Sequence, residues 1–167
     1  MQKDAWKNDR AYRDIVDDLL QQPAVQELAN YTQHHHSDRL THSIMVSYWS
    51  YRLGLRLGLN ATALARAGIL HDLFYYDWRD TKFELGTHAF IHPRVSLRNA
   101  EKITSLSEME KDIILKHMWG STWAMPHYWE SLLLNLVDDE TAVMDFFNPV
   151  LDSFKALKTL HWINRES

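Results

Sequence analysis

The sequence predicts an all-α domain, and amino-acid composition is the first reason. The 167 residues include only 5 Gly and 4 Pro, whereas average usage of these two residues together is roughly 12%. Folds built from many short strands need more of these turn residues. The hydrophobic fraction of 46% is normal for a chain with a packed core. We therefore expect one helical domain over residues 1–167, with about seven helices.

In the first half of the chain, apolar residues recur every three or four positions, which is typical of amphipathic helices. Gly58 follows one such stretch and Asn60 precedes the next, where these residue types commonly end and begin helices. The polar stretch 33–38 is expected to be a loop. The helices predicted here cover about residues 4–20, a short segment from Pro23, 39–57 and 61–74.

The second half alternates helical patterns with one irregular stretch, residues 75–91, which we predict to be a long functional loop. Pro93 suits the first position of a helix, so a helix is expected from there to about Ile103. Ser107 and Glu110 have the spacing of a capping box before the next apolar run. The remaining helices are predicted over about residues 128–147 and from Pro149 onward.

Composition also excludes several classes of function. The chain has no Cys, which removes disulfides, thiolate nucleophiles and iron–sulfur clusters. The net charge of −4 argues against a nucleic-acid polymer as partner. Neither a membrane-spanning apolar run nor the apolar stretch of a signal peptide is found, so we expect a cytoplasmic protein without membrane contact. Any transition metal would need imidazole and carboxylate ligands.

Six polar residues adjoin apolar helical stretches in different parts of the chain. Because a buried polar side chain needs a partner, we expect these side chains to point inward and to meet one another. Imidazoles and carboxylates from successive helices are how helical bundles build dinuclear metal sites. The six residues are His42, His71, Asp72, His92, His117 and Asp138.

These residues resemble the HD-domain superfamily of metal-dependent phosphohydrolases. The family order is matched by His42, then His71-Asp72, then His92, His117 and Asp138. The surrounding stretches 40–46, 67–72 and 92–94 are similar as well, and the resemblance covers about residues 33–147. The stretches 71–78 and 92–99 are similar to a small bacterial branch of HD hydrolases with a single domain.

The resemblance implies an HD-domain helical bundle that holds one or two divalent ions per chain. One ion would be bound by His42, His71, Asp72 and Asp138, and a second by His92 and His117, with Asp72 bridging both. Fe, Mn, Ni, Co or Zn would suit these ligands better than Mg. His71 and Asp72 would be the catalytic pair at a metal-activated hydroxide. The expected substrate is a small phosphate ester or anhydride, with a nucleotide as the leading class.

The chain departs from the family pattern at two positions. Tyr75 stands four residues after His71, where many members carry Lys or Glu, so that role is vacant or moved. Asp139 stands where Lys commonly follows the last metal ligand, so both Asp138 and Asp139 are candidates, and the family register favours Asp138. The motif of cyclic-dinucleotide enzymes is absent after His117, so that activity is not expected.

Other residues near these motifs are candidates for substrate contacts. Arg94 is expected in the first turn of its helix, where backbone N–H groups also favour anions, and Arg39 precedes the first ligand helix. An exposed ion pair is the alternative for each. His88 lines the pocket or binds the backbone, and His34, from the tract 34–36, caps the pocket or belongs to a solvated loop. Further candidates for the pocket wall are Tyr75, Tyr76, Asp77 and Trp78.

The remaining aromatic and histidine residues carry weaker expectations. Trp119 and Trp123 flank the His117 loop and could stack a base, although core or rim positions are the usual ones for Trp. His127 and His161 are expected to be structural or exposed. Oligomeric state is left open, with a homodimer as one option.

Two other functions share the same six ligands or the same fold. The superfamily contains mixed-valent di-iron oxygenases, for which oxygen consumption and an EPR signal would be diagnostic. A non-catalytic ligand-sensing module is the third option, and an empty metal site in the purified protein would favour it.

Overall fold

The computed structural model describes residues 4–34, 37–77, 79–81, 83 and 86–143. Over these residues the chain is mainly α-helical, so the all-α prediction is confirmed. The helices are α1 (Arg10–Leu20), α2 (Pro23–Gln26), α3 (Arg39–Leu57), α4 (Ala61–Leu70), α5 (His88–Ile103), α6 (Glu108–Lys116) and α7 (129–143). Single 3₁₀ turns cover Ala5–Asn8 and Glu27–Asn30. The strands β1 (Thr32–His34) and β2 (Ser37–Asp38) form a small antiparallel pair.

Helix α4 lies at the centre of the fold and packs against α1, α3 and α6. Most of its residues are buried, because its sequence is apolar except at Thr62 and Arg66. Gly68 allows the close approach of α3, since a Cβ atom at this position would lie 2.5 Å from the Cα of Ser47. The Ser47 hydroxyl in turn donates a hydrogen bond of 2.6 Å to the Ala65 carbonyl. Helices α3 and α4 therefore pack closely. Helix α3 carries His42, and the turn after α4 carries His71 and Asp72.

The predicted helix caps are present. The Asn60 side chain accepts from the backbone N–H of Ala63 at 3.0 Å, and Gly58 ends α3 with a left-handed φ of 70°. Ser107 and Glu110 form both bonds of a capping box at the start of α6. These local signals therefore place the ends of three helices correctly.

Several predictions of local structure are wrong. Helix α1 begins at Arg10 and not near residue 4, because a separate 3₁₀ turn covers Ala5–Asn8. Helix α5 begins at His88, so Pro93 lies inside it. The missing N–H of Pro93 costs only one intrahelical bond, to the carbonyl of Ala89, and the helix tolerates that loss. Helix α4 ends at Leu70 instead of Phe74, and the described residues between Leu70 and His88 form no helix. The stretch 33–38 contributes to β1 and β2 and is not a plain loop.

Several predictions fall outside the described residues. They concern the end of the helix predicted over 128–147, the helix predicted from Pro149, and the side chains of His34, His35, His36, Trp78 and His161. Within the described part of the chain, no helix combines the length and the apolar character needed to cross a membrane.

Candidate metal centre

Five elements bring the six predicted ligands into one buried cluster. Helix α3 contributes His42, the turn after α4 contributes His71 and Asp72, and α5 contributes His92. The turn after α6 contributes His117, and α7 contributes Asp138. The first five are buried, and the Asp138 side chain is only 14% exposed. A buried cluster of this composition needs internal partners or cations to offset the lost hydration.

Asp72 joins two groups of potential ligands. One group consists of His42, His71 and Asp72, and the other of Asp72, His92 and His117, with the ligand atoms of each group within 4.8 Å of one another. The two oxygens of Asp72 face different groups. Oδ1 lies 3.3 Å from Nε2 of His92 and 3.6 Å from Nε2 of His117, whereas Oδ2 lies 3.7 Å from Nε2 of His71. This is the arrangement that a bridging carboxylate requires.

Asp138 completes the first group. Its Oδ1 lies 2.9 Å from Nε2 of His42 and 3.7 Å from Nε2 of His71. Asp139 is exposed, because consecutive residues of a helix point about 100° apart. Of the two neighbouring carboxylates, Asp138 is therefore the one in contact with the cluster.

Three of the imidazoles are oriented by the backbone of the preceding helical turn. Nδ1 of His71 donates to the Gly68 carbonyl at 2.8 Å, Nδ1 of His92 to the His88 carbonyl at 2.9 Å, and Nδ1 of His117 to the Ile114 carbonyl at 2.7 Å. Because carbonyl oxygens only accept, these bonds place a proton on Nδ1, so that in the neutral form of each ring the lone pair of Nε2 faces the cluster. Ligating histidines in metalloproteins are held in the same way.

The Nε2 atoms of three histidines are placed to bind a cation. Nε2 of His71 is buried and makes no hydrogen bond with any residue that the structure describes. Nε2 of His92 and Nε2 of His117 lie only 2.7 Å apart. Two lone pairs at this distance repel unless a proton or a metal ion lies beside them. The imidazole nitrogens and carboxylate oxygens of the cluster are therefore suitable ligands for a divalent metal ion.

Burial and the neighbouring charges shift the pKa values of the cluster residues. Burial disfavours ionisation of Asp72, but the neighbouring His71, His92 and His117 hold its pKa well below the ordinary value. Burial, together with the neighbouring His92 and His71, lowers the pKa of His117 to about 3. Burial opposes the imidazolium form of His71, yet Asp72 and Asp138 raise its pKa to about 9. At neutral pH the carboxylates and His117 are thus in the forms that bind metal, and His71 must release a proton.

Arg39 supports the turn that carries the doublet. It is fully buried, and its guanidinium donates to the Phe74 carbonyl at 2.6 Å and to the Tyr76 carbonyl at 3.3 Å. It also stacks on the Phe74 ring at 3.6 Å. Burial lowers the pKa of Arg39, and the Asp72 carboxylate partly offsets that shift. Arg39 therefore holds the backbone after Asp72, a role that the sequence did not indicate.

Asn135 plays a similar part behind His117. Its amide donates to the carbonyls of His117 and Trp119, the latter at 3.2 Å, and the side chain is buried. Sequence reasoning did not single it out, although an amide within the apolar run 132–137 was a usable signal.

His88 lies next to the second ligand group. Its ring stacks on His92 with 4.2 Å between centroids, and Nδ1 lies 3.4 Å from the Tyr76 hydroxyl. Burial and the neighbouring His92 lower the pKa of His88 to about 4. Because α5 starts at His88, the two histidines share one helix face, and His88 and Tyr76 border the cluster.

The other predicted substrate contacts point elsewhere. Arg94 is exposed and donates to the Phe90 carbonyl; since α5 starts earlier than predicted, it is not in the first turn. The Tyr75 hydroxyl donates to the Ala24 carbonyl, and exposed Asp77 accepts from the Arg79 N–H. Substrate contacts by these three residues, and by Arg39, stay predictions. Exposed His127 donates to Asp112 at 2.6 Å, which suits the structural role expected for it.

Comparison with models of known protein families matches residues 39–142 to the HD domain. All six cluster residues lie within that range. No curated protein and no solved structure shows a significant match to the chain.

Proposed function

This chain belongs to the HD domain family, and from its buried cluster we propose that it is a phosphohydrolase that works with two divalent metal ions. Membership by itself implies the wider class of metal-dependent hydrolases. The observation that carries the finer proposal is Asp72, whose two oxygens face separate groups of histidines. A single-ion site would not need a carboxylate placed between two such groups.

The donor set divides between the two ions. His42, His71 and Asp138 would hold one ion, His92 and His117 the other, and Asp72 both. The ligands are imidazole nitrogens and carboxylate oxygens, which suit Fe, Mn, Co, Ni or Zn. Mg²⁺ prefers oxygen ligands and retains several waters, so it suits this set less well.

When bound, two such ions supply an activated water and positive charge for a phosphoryl group. The protein residues do the positioning. Backbone carbonyls fix three imidazoles, Arg39 and Asn135 hold the turns that carry Asp72 and His117, and burial of the cluster strengthens its electrostatic interactions.

The charge of the site favours an anionic substrate only when metal ions are bound. The chain has a net charge of −4, and the cluster contains two carboxylates, so an empty cluster repels phosphate. We therefore propose a small phosphate ester or anhydride, with nucleotides as the first class to test. His88 and Tyr76, which border the second group, are the proposed substrate contacts nearest to the ligands.

The test is a phosphatase screen on the purified full chain. Metal is removed with a chelator and restored singly as Mn, Fe, Co, Ni or Zn, and phosphate release is measured from nucleotides and small esters. We expect activity that requires metal, that is lost in Asp138→Asn, and that is retained in Asp139→Asn, the neighbouring exposed carboxylate. Full activity after metal removal would contradict the proposal. Oxygen consumption with a mixed-valent iron signal would favour the oxygenase class instead.

A further inference from the structure

Exposed apolar side chains form a stripe on α7, on the side opposite the metal ligand, and exposed Glu140 interrupts it between Leu136 and Val143. Trp129 is 74% exposed and Leu136 is 55% exposed, and Val143 continues the row at helical spacing. Leu132 and Leu133 lie between them and are partly buried. Asp138 lies about 180° from Trp129 around the helix, so the stripe is separate from the metal cluster.

The stripe is one wall of an apolar groove. Leu57, which is 62% exposed, and Leu59 form the opposite wall, and the groove has a volume of about 280 Å³. At Trp129 and Leu132 it continues into a second cavity of about 380 Å³, bordered by Trp119, Met125 and Tyr128. A groove lined by exposed apolar side chains is a suitable surface for docking another apolar segment.

The chain itself contains a segment suited to this groove. Residues 144–167, outside the described part of the structure, continue from the last described residue of α7. Pro149 suits a helix start, and the apolar residues that follow recur at helical spacing on one face. They are Val150, Leu151, Phe154 and Leu157. We propose that residues 150–163 form an amphipathic helix that folds back antiparallel along α7 and covers the groove.

The lengths agree. A helix over residues 150–163 spans about 21 Å, and α7 over residues 129–143 spans about 22 Å. In the proposed arrangement the chain reverses direction at residues 144–149, which places Leu157 beside Leu136. Trp162 then reaches the end of α7 where Trp129 borders the second cavity.

Charge favours this segment over a second copy of the same face. Asp139 is exposed on α7 beside the stripe, exposed Glu140 lies within it, and residues 129–143 contain no Lys or Arg. Lys155 lies at one edge of the apolar face of the segment, and Lys158 lies within that face, one turn after Phe154. Docking thus brings two cations to two carboxylates, whereas pairing of two α7 faces supplies none.

Paired cysteines test the docking directly, because the natural chain has no Cys. We compare the full-length variant Leu136→Cys/Thr159→Cys, in which residue 159 is on the opposite face of the segment, with Leu136→Cys/Leu157→Cys. We expect the intramolecular disulfide to form at least about tenfold faster in the second pair, because only there are the side chains close enough. Equal rates overturn the proposal, and disulfide-linked dimers from the second pair assign the groove to a second copy.

Hydrogen exchange on the unmodified chain provides a second readout that no substitution can disturb. Amides of residues 150–163 are expected to exchange at least about tenfold more slowly than in an isolated peptide of that sequence, at a protein concentration where the chain is monomeric. Exchange at the peptide's rate overturns the proposal. Neither readout depends on metal or on phosphatase activity, so its failure is distinct from failure of the proposed function.

Discussion

Nε2 of His92 lies 2.7 Å from Nε2 of His117, and both rings donate their Nδ1 protons to backbone carbonyls. Each Nε2 atom therefore presents a lone pair to the other. The pair is favourable only if it shares a cation, and the Oδ1 atom of Asp72 lies within 3.6 Å of both nitrogens. This relationship supports the second ion that the position of Asp72 between two groups of histidines suggests.

The first prediction concerns the division of ligands. His117→Ala is expected to reduce the bound metal from two ions per chain to one, because the second ion keeps only His92 and Asp72 as ligands. The metal content after dialysis is the measurement. His127→Ala, which removes an exposed histidine outside the cluster, is the control and is expected to retain both ions. Unchanged metal content in His117→Ala would show that this histidine is not a ligand.

The second prediction concerns Arg39. Arg39→Lys keeps the charge but loses the planar guanidinium that bonds two carbonyls and stacks on Phe74. We expect the free energy of unfolding to fall by about 2 kcal/mol, the contribution typical of hydrogen bonds to a charged group. Urea denaturation measures this change. Arg94→Lys, at an exposed position, is the matched control and is expected to change stability by less than about 0.5 kcal/mol.

The third prediction tests the packing of α4 on α3. In Gly68→Ala the new methyl group would lie 2.5 Å from the Cα of Ser47, which is backbone and cannot rotate away. Overpacking of this kind costs about 1 to 3 kcal/mol of stability. Thr62→Ala, at an exposed position of the same helix, is the control for thermal denaturation. A Gly68→Ala protein as stable as wild type would show that the two helices can separate without cost.

The fourth prediction is a pH dependence outside the metal cluster. Burial opposes ionisation of Asp112, but hydrogen bonds from Ser131 and from His127 lower its pKa below the ordinary value. Such a carboxylate stabilises the fold above the unfolded pKa of about 4, and the contribution is lost as the pH falls through the lower folded pKa. Asp112→Asn is expected to cost about 1 to 3 kcal/mol at pH 7.

Urea denaturation of wild type and Asp112→Asn at several pH values checks this prediction. The stability difference is expected to shrink as the pH falls below about 4. Asp112 is then protonated first in the unfolded wild-type protein and, at lower pH, in the folded protein, so its charge no longer stabilises the fold. A difference that is the same at pH 3 and pH 7 would mean that the charge of Asp112 contributes nothing.

The helical fold and the composition of the cluster were predictable because both are local signals. His42, His71 and His117 each adjoin an apolar helical run, and caps such as Asn60 and Ser107 mark helix starts by their own side chains. Family order then joined these separate positions into one site. The family register favoured Asp138 over Asp139 as the last ligand. In the structure Asp138 contacts His42, as that register requires.

Non-local contacts were not predictable. The partners of Arg39 are carbonyls 35 and 37 residues away, and nothing in the local sequence distinguishes it from an exposed arginine. The start of α5 was misplaced because Pro93 suits a first turn and is also tolerated within a helix. That error hid the stacking of His88 on His92 and placed Arg94 in the first turn of the helix, where the structure does not have it.

The number of metal ions bound per chain tests the central claim most directly. Titration of the metal-free protein with Mn²⁺, followed calorimetrically, is expected to give two ions for wild type. For Asp72→Asn, which removes the shared carboxylate, we expect fewer than one ion, although the histidines and Asp138 are unchanged. A wild-type protein that saturates with one ion, or an Asp72→Asn protein that still binds two, would contradict the bridging role of Asp72.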